Sequence, residues 1–367
     1  MFGRSRIIAW FVAALAVLVL GEPSGTVAVR RAFGVDEGHA LPPQPMHLAT
    51  RPGKRWDVTL TVQHGPFSGF VFYAVPPDDP SQTIEAVELF AETMKGRVEA
   101  VRIADASRFK KPLLKLELRA KAPCKVVAHV VLQRHNTSLV AGPPTAKAKP
   151  LGRLQHREFM DDGWPDESAR KWFAEWMRAH DLMRGDEDEA AFAFRVLKFM
   201  QGYFRYVIPD DLPDHKAMVT KDPLMGDWHY TIQSRSGECL RLSDTYCRIL
   251  RMNGLPARLV SGNFFGPESG HHLRSLVYLP EIGWVPVEAT AAVSLPESPP
   301  LRFFGSWRGT MLIGNRNLGF ELPGPKGSQG IGTMDQLAFA ADDGTWEFPD
   351  AEIVGRVLPS SESSPAR

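Results

Sequence analysis

The chain has 367 residues, and at about 150 residues per domain that length suggests two domains with room for an appendage. Hydrophobic residues at 44% and charged residues at 23% exclude wholesale disorder, while 43 basic against 42 acidic residues remove the electrostatic case for a dedicated nucleic-acid binder. Three cysteines exclude a disulfide-dense scaffold and a four-thiolate zinc site, and 31 glycines with 30 prolines disfavour a helical bundle.

At the N-terminus, Arg4 and Arg6 precede an unbroken apolar run from Ile7 to Leu20. The run is shorter than the ~20 residues of a membrane-spanning helix and matches the basic and apolar regions of a secretory signal. Residues 1–21 therefore read as a signal peptide, the alternative being an uncleaved N-terminal membrane anchor. Removing Arg4 and Arg6 with it takes the net charge from +1 to −1. The body is expected to be secreted or to lie in the periplasm or cell envelope, touching a membrane only through residues 7–20 if the segment is retained.

Residues 22–53 read as a linker, with four prolines between positions 40 and 53. From 54 to 140 the pattern is strand-like: WDVTLTV, SGFVFYAV, LLKLELRA and KVVAHVVLQ alternate or run β-branched. IEAVELFAETM at 84–94 could instead be a helix. This stretch predicts a small β-sandwich-like domain without a catalytic residue set. A second seam at 141–152 carries three prolines and a single large apolar side chain, Leu151, so it reads as another linker.

Beyond it the period lengthens to that of helices. Asp166 is placed to cap a helix whose stripe is Trp172, Phe173, Trp176 and Met177. The acidic start of GDEDEAAFAFRVLKFMQGYFRYV suits a second helix, with Phe192, Val196, Phe199 and Tyr203 on one face.

Chemistry concentrates between 233 and 290. In QSRSGECLRLSDTYCRILRMNGLPARLVSG, Ser236-Gly237 precede a helical face of Leu242, Tyr246, Ile249 and Leu250 that Asn253-Gly254 ends. Cys239 then falls in the first turn, where unpaired N–H groups and the positive helix end favour a thiolate and could hold an oxyanion. Cys247 lies eight positions on, about 12 Å along the axis, too far for a disulfide with Cys239. It reads as a core residue. HHLRSLVYLPEIGWVPVEAT predicts a β-hairpin of His272–Leu279 and Trp284–Thr290, with His272 and Glu288 at the end away from the turn. A three- or five-residue connection, or a bulge, puts them on one face; a four-residue loop puts them on opposite faces. A Cys–His pair needs a third group to orient the imidazole, and a carboxylate does this. His180, His215, His229, His271 and His272 show neither a helical i, i+4 pair nor a CxxC partner, so neither metal nor cofactor is expected.

SGEC before a helix, then LRMNGLPARLVSG, then a histidine leading into VYLPEIGWVPVEAT, resembles the transglutaminase-like superfamily, whose core carries a papain-like Cys–His–Asp arrangement. The resemblance implies an α+β fold with the cysteine helix packed on an antiparallel sheet, over residues 153–357, with the strands after Thr290 extending that sheet and a disordered tail at 358–367. It assigns Cys239 as nucleophile, His272 as general base with His271 as second choice, and Glu288 in place of the usual Asp. Gln233 or Trp228 would supply an oxyanion donor. Arg274 and Leu276 depart from the family's pattern along the cleft wall, and Arg258 reads as structural. The implied activity is an exported thiol enzyme acting on an amide or peptide bond of a peptide or protein substrate, with hydrolysis slightly favoured over transfer to an amine. The alternative is a non-catalytic relative that binds a peptide or envelope polymer.

Overall fold

The computed structural model describes residues 40–143, 148–164, 166–207, 226–265, 269–307, 311–315, 317 and 319–359. The apolar run at 7–20, the start of the first linker and residues 360–367 lie outside the described residues. Seven strands come first: β1 (Met46–His64), β2 (Phe67–Ala74), β3 (Gln82–Thr93), β4 (Gly96–Glu99), β5 (Val101–Ala104), β6 (Pro112–Ala120) and β7 (Cys124–Ala141). Helices α1 (Arg153–Phe159), α2 (Glu167–Ala179) and α3 (Glu189–Tyr203) follow, then β8 (Arg205–Tyr206), α4 (Gly226–Ser234), β9 (Ser236–Gly237) and α5 (Cys239–Met252). Next come β10 (Ala257–Phe265), β11 (Ser269–Leu279), β12 (Gly283–Val287), α6 (Ala289–Ser294) and β13 (Met311–Ile313). The chain closes with β14 (Phe320–Gly324), β15 (Gly327–Ile331), β16 (Ala338–Ala341), β17 (Trp346–Glu347) and β18 (Glu352–Val357).

These elements form two compact units that interleave along the sequence. One comprises Met1–Ala49, Thr137–Leu259 and Leu273–Gly309; the other comprises Thr50–Asn136, Val260–His272 and Thr310–Arg367. The second unit is the β-sandwich expected from the alternating patterns, built from two five-stranded sheets in the orders β18-β1-β7-β3-β4 and β17-β16-β2-β6-β5. Leu60, Val126 and Val130 from one sheet share a buried core with Val71, Leu116 and Phe339 from the other. The unbroken apolar run in β2 has a simple cause. Val71 and Tyr73 enter the sandwich core, while Phe72 and Ala74 on the opposite face pack with Phe320 and Leu322 of β14, so both faces are covered.

Two expectations are corrected here. Residues 84–94 are not helical: β3 pairs with β7 on one side and β4 on the other, and burying Leu89 and Ala91 in the sandwich overrides the helix propensity of Glu, Ala and Met. The late strands do not all extend the sheet of the cysteine core. β16 pairs with β2, placing Ala338 across from Phe72, and β18 pairs with β1, placing Val354 across from Thr59. Leu337 and Phe339 supply the apolar side chains that make this return favourable. Leu358, at the start of the predicted tail, still donates its N–H to the Arg55 carbonyl at 2.9 Å.

The first unit is mainly helical. Asp166 caps α2 by accepting from the Ala169 N–H at 2.8 Å, and Asp188 caps α3 through Ala191 at 2.8 Å. α5 buries Leu242, Tyr246, Cys247, Ile249 and Leu250, and packs against α3, α4 and α6. The Tyr246 hydroxyl donates to the Ala193 carbonyl of α3 at 3.0 Å, which fixes the rotation of α5. Asn253 ends α5, and Gly254 adopts a φ of 82° that few other residues tolerate, as the NG signal requires. The hairpin β11–β12 sits against this helix: Ser243 Oγ donates to the Leu273 carbonyl at 3.4 Å, and Ser275 Oγ donates to the Ser243 carbonyl at 3.1 Å.

Candidate active site

The turn that presents Cys239 is built from its preceding residues. Arg235 leaves α4 at a φ of 52°, and Ser236-Gly237 then pair in parallel with Arg205-Tyr206, with the Val207 N–H donating to the Gly237 carbonyl at 3.2 Å. Gly237 sits in a tight place: a Cβ there would stand 3.1 Å from Arg241 Cβ and 3.3 Å from Thr231 Cγ2. Glu238 is the extended N-cap residue, its carbonyl accepting from the Leu242 N–H at 3.0 Å. Its side chain makes no capping hydrogen bond and pairs instead with Arg241 at 3.4 Å. Cys239 is therefore the first helical residue, half-buried, in a turn whose N–H groups have no intrahelical acceptor.

The other two thiols are different in kind. Cys247 is wholly buried, and burial, against the opposing influence of Arg251 and a hydrogen bond with Ser275, pushes its thiol up to about 12. Cys124 lies in the sandwich core, where burial also raises its thiol. All three cysteines are free, which rules out a Cys124–Cys247 bridge.

The pairing of the hairpin sets the length of its connection. Its register runs from Ser275 opposite Val287 to Leu279 opposite Gly283, leaving a three-residue connection, Pro280 to Ile282. The pairing ends at Ser275 and Val287; Arg274, the next residue along β11, lies two positions from His272 on the same strand. Along β11, His272 and Arg274 share a face. The return strand is shorter than expected. It stops at Val287 because Glu288 turns to a φ of −100° and a ψ of 71° as the N-cap of α6, while its N–H donates to the Phe303 carbonyl at 2.8 Å; Thr290 is helical. Glu288 and His272 are both buried, and the His272 ring stacks on Phe264 with centroids 5.9 Å apart. Arg274 is also buried, its guanidinium 3.9 Å above the Trp307 ring. Cys239 and Glu288 belong to the mainly helical unit, and His272 to the unit containing the sandwich.

Gln233 is exposed on α4, where its Nε2 lies 3.1 Å from His229 Nε2, and Trp228 is buried edge-to-face against Trp164 and Phe173. Arg258 is buried with its guanidinium 4.4 Å over Trp284, a structural placement. One residue near the thiol escaped the sequence reading. Tyr206 pairs with Gly237, two residues before Cys239, and its phenol is pushed up to about 12 by burial first, then by Cys239 and Glu238. It stays protonated through the physiological range. Only the aromatic at the end of YFRYV hinted at it, and that segment reads equally well as the end of a helix. Among the described residues, no group of three or more His, Cys, Asp and Glu side chains could hold a metal ion.

Residues 177–289, which include Cys239, His272 and Glu288, match the family model of the transglutaminase-like superfamily. No curated protein matches the chain. Among solved structures, a candidate cysteine protease from Cytophaga hutchinsonii is similar at 11% identity and a TM-score of 0.49, covering 85% of this chain and 93% of its own. The periplasmic domain of TgpA from Pseudomonas aeruginosa is similar at 15% identity and a TM-score of 0.32, covering 65% of this chain and 96% of its own.

Proposed function

We propose that this chain, whose residues 177–289 match the family model of the transglutaminase-like superfamily, is an exported thiol enzyme that cleaves or transfers an amide or peptide bond through an acyl-enzyme on Cys239. The observation that carries the reading is the half-exposed Cys239 at the uncapped start of α5, in contrast to two thiols buried in cores. In the proposed reaction the Cys239 sulfur attacks the substrate carbonyl carbon as a thiolate paired with protonated His272. The C–S bond forms, and the oxyanion is held by first-turn N–H groups and the Tyr206 phenol. Collapse breaks the C–N bond, and His272 gives its proton to the departing amine. A water then attacks the thioester while His272 takes its proton, the C–S bond breaks, and a carboxylic acid leaves. An amine in place of water gives transfer, with hydrolysis slightly favoured. Glu288 orients the imidazole, a role supported by its burial and by the three-residue connection, the length whose parity favours one face for the two residues.

Export is supported by Arg4, Arg6 and the apolar run to Leu20. Among the described residues, no helix is long and apolar enough to cross a membrane. The test is turnover of a panel of peptide amides by the parent protein and by Cys239→Ala and His272→Ala. Activity lost in both variants supports the reading. A parent protein that binds the peptides yet leaves them intact favours the non-catalytic binder.

A further inference from the structure

We propose that Asp335 is a positioning residue: it locks the start of β11 through His271 and thereby leaves the base role to His272 rather than to its neighbour. The proposal rests on the reading of Cys239 as nucleophile and His272 as base. Adjacent residues of a strand point to opposite faces, so a slip of one residue would exchange the two histidines. A device that holds one of them therefore decides which face the other takes.

The structure contains such a device. His271 Nε2 lies in direct contact with Asp335 Oδ2, and the carboxylate side chain is only 4% exposed against 34% for the histidine. Asp335 is itself pinned by the backbone around it. Its carbonyl accepts from Asn263 Nδ2 of β10 at 2.6 Å. Gly314, directly after β13, gives it room, since a Cβ there would stand 2.8 Å from Asp335 Cα. The Gly314 N–H in turn donates to the Ser261 carbonyl of β10 at 2.8 Å. Asp335 also lies close enough to the buried Tyr73 phenol to help raise it, after burial itself. Pulling His271 away would take from the buried Asp335 carboxylate the imidazole it faces, which makes the slipped register unfavourable. On the other face, the Phe264 stack holds the His272 ring.

The test is steady-state kinetics on one peptide amide with Asp335→Asn, His271→Gln, the double variant, Asp335→Glu, His272→Ala and Cys239→Ala. Asp335→Asn and His271→Gln should each lower kcat by about 10- to 100-fold with KM nearly unchanged, as expected of a small misplacement of a reacting group. The double variant should be no worse than either single one, because the two residues act as a unit, and Asp335→Glu should recover part of the loss. If Asp335→Asn does not fold, the partly exposed His271→Gln carries the same prediction. Full kcat in both single variants, with Cys239→Ala inactive, overturns this assignment alone. Loss of activity in His271→Gln with retention in His272→Ala also overturns it, since His271 and Asp335 would then be the catalytic pair. Equal rates for Cys239→Ala and the parent overturn the nucleophile reading and this assignment with it.

Discussion

The three cysteines should separate sharply in a thiol–disulfide exchange experiment, and the size of the separation can be worked out. Cys247, with its thiol pushed up to about 12, carries on the order of 10⁻⁴ thiolate at pH 8, whereas an ordinary thiol near 8.5 carries about a quarter. The higher basicity returns a factor of roughly 40 in intrinsic nucleophilicity, since exchange rates rise with a Brønsted slope of about 0.4–0.5. Ionisation alone thus slows Cys247 by about 10²-fold. Complete burial slows it further, because the reagent must wait for local opening. Cys124, buried in the sandwich with its thiol also raised, is slowed in the same sense. An aromatic disulfide reagent should give one fast equivalent in the folded protein, assigned to Cys239 by peptide mass, and three in guanidinium. Cys239→Ser should remove the fast phase. A fast phase that survives that substitution, or Cys247 peptides modified as quickly as those of Cys239, would refute the reasoning.

Three further outcomes follow from particular contacts. Glu288→Asp should keep much of the activity, while Glu288→Ala should lose on the order of 10² in kcat because the imidazole is no longer oriented; unchanged kinetics would remove Glu288 from the mechanism. Burial outweighs Arg251 and Arg248 to push the Asp162 carboxyl up to about 6, above its unfolded value. The folded state therefore holds this proton more tightly, and stability should fall by about 2–3 kcal/mol as pH rises from 4 through 6. Asp162→Asn should flatten that slope in urea titrations, and an unchanged slope would discount the group. A fragment of residues 151–367 lacks β1 and β2, so β18 loses its partner and β16 keeps only the two-residue β17. It should fail to give a cooperative melt, and Phe339→Ala in the full chain should cost about 3–5 kcal/mol; a well-folded fragment would contradict the observed pairing.

Local signals in the sequence carried the elements that hold the proposed nucleophile and acid. NG marks the end of α5 because a positive φ has a direct residue signature, and SGEC marks its start although Glu238 makes no side-chain cap. The acidic residues before α2 and α3 act as caps for the same reason. The hairpin could be predicted but its parity could not, since a one-residue change in the connection reverses the faces, and only the pairing of Leu279 with Gly283 decides it. Long-range pairing left no local trace. AVELFAETM has helical composition yet becomes a central strand, and nothing in QLAFA distinguishes β2 from β12 as its partner. Tyr206 was invisible for the same reason: its place beside Cys239 depends on a two-residue parallel bridge between segments thirty positions apart. The contact between His271 and Asp335 likewise links stretches far apart in sequence.

The central claim is that Cys239 carries an acyl group during turnover. The most direct measurement is acid-quenched mass spectrometry of the protein mixed with an activated peptide ester, followed over time with and without an added primary amine. The account predicts an adduct of the acyl mass on the Cys239 peptide, formed before free acid and depleted faster by the amine. The adduct should be absent in Cys239→Ala and slow to form in His272→Ala. Product released with no adduct on Cys239 at any time, or at the parent rate by Cys239→Ala, would contradict it.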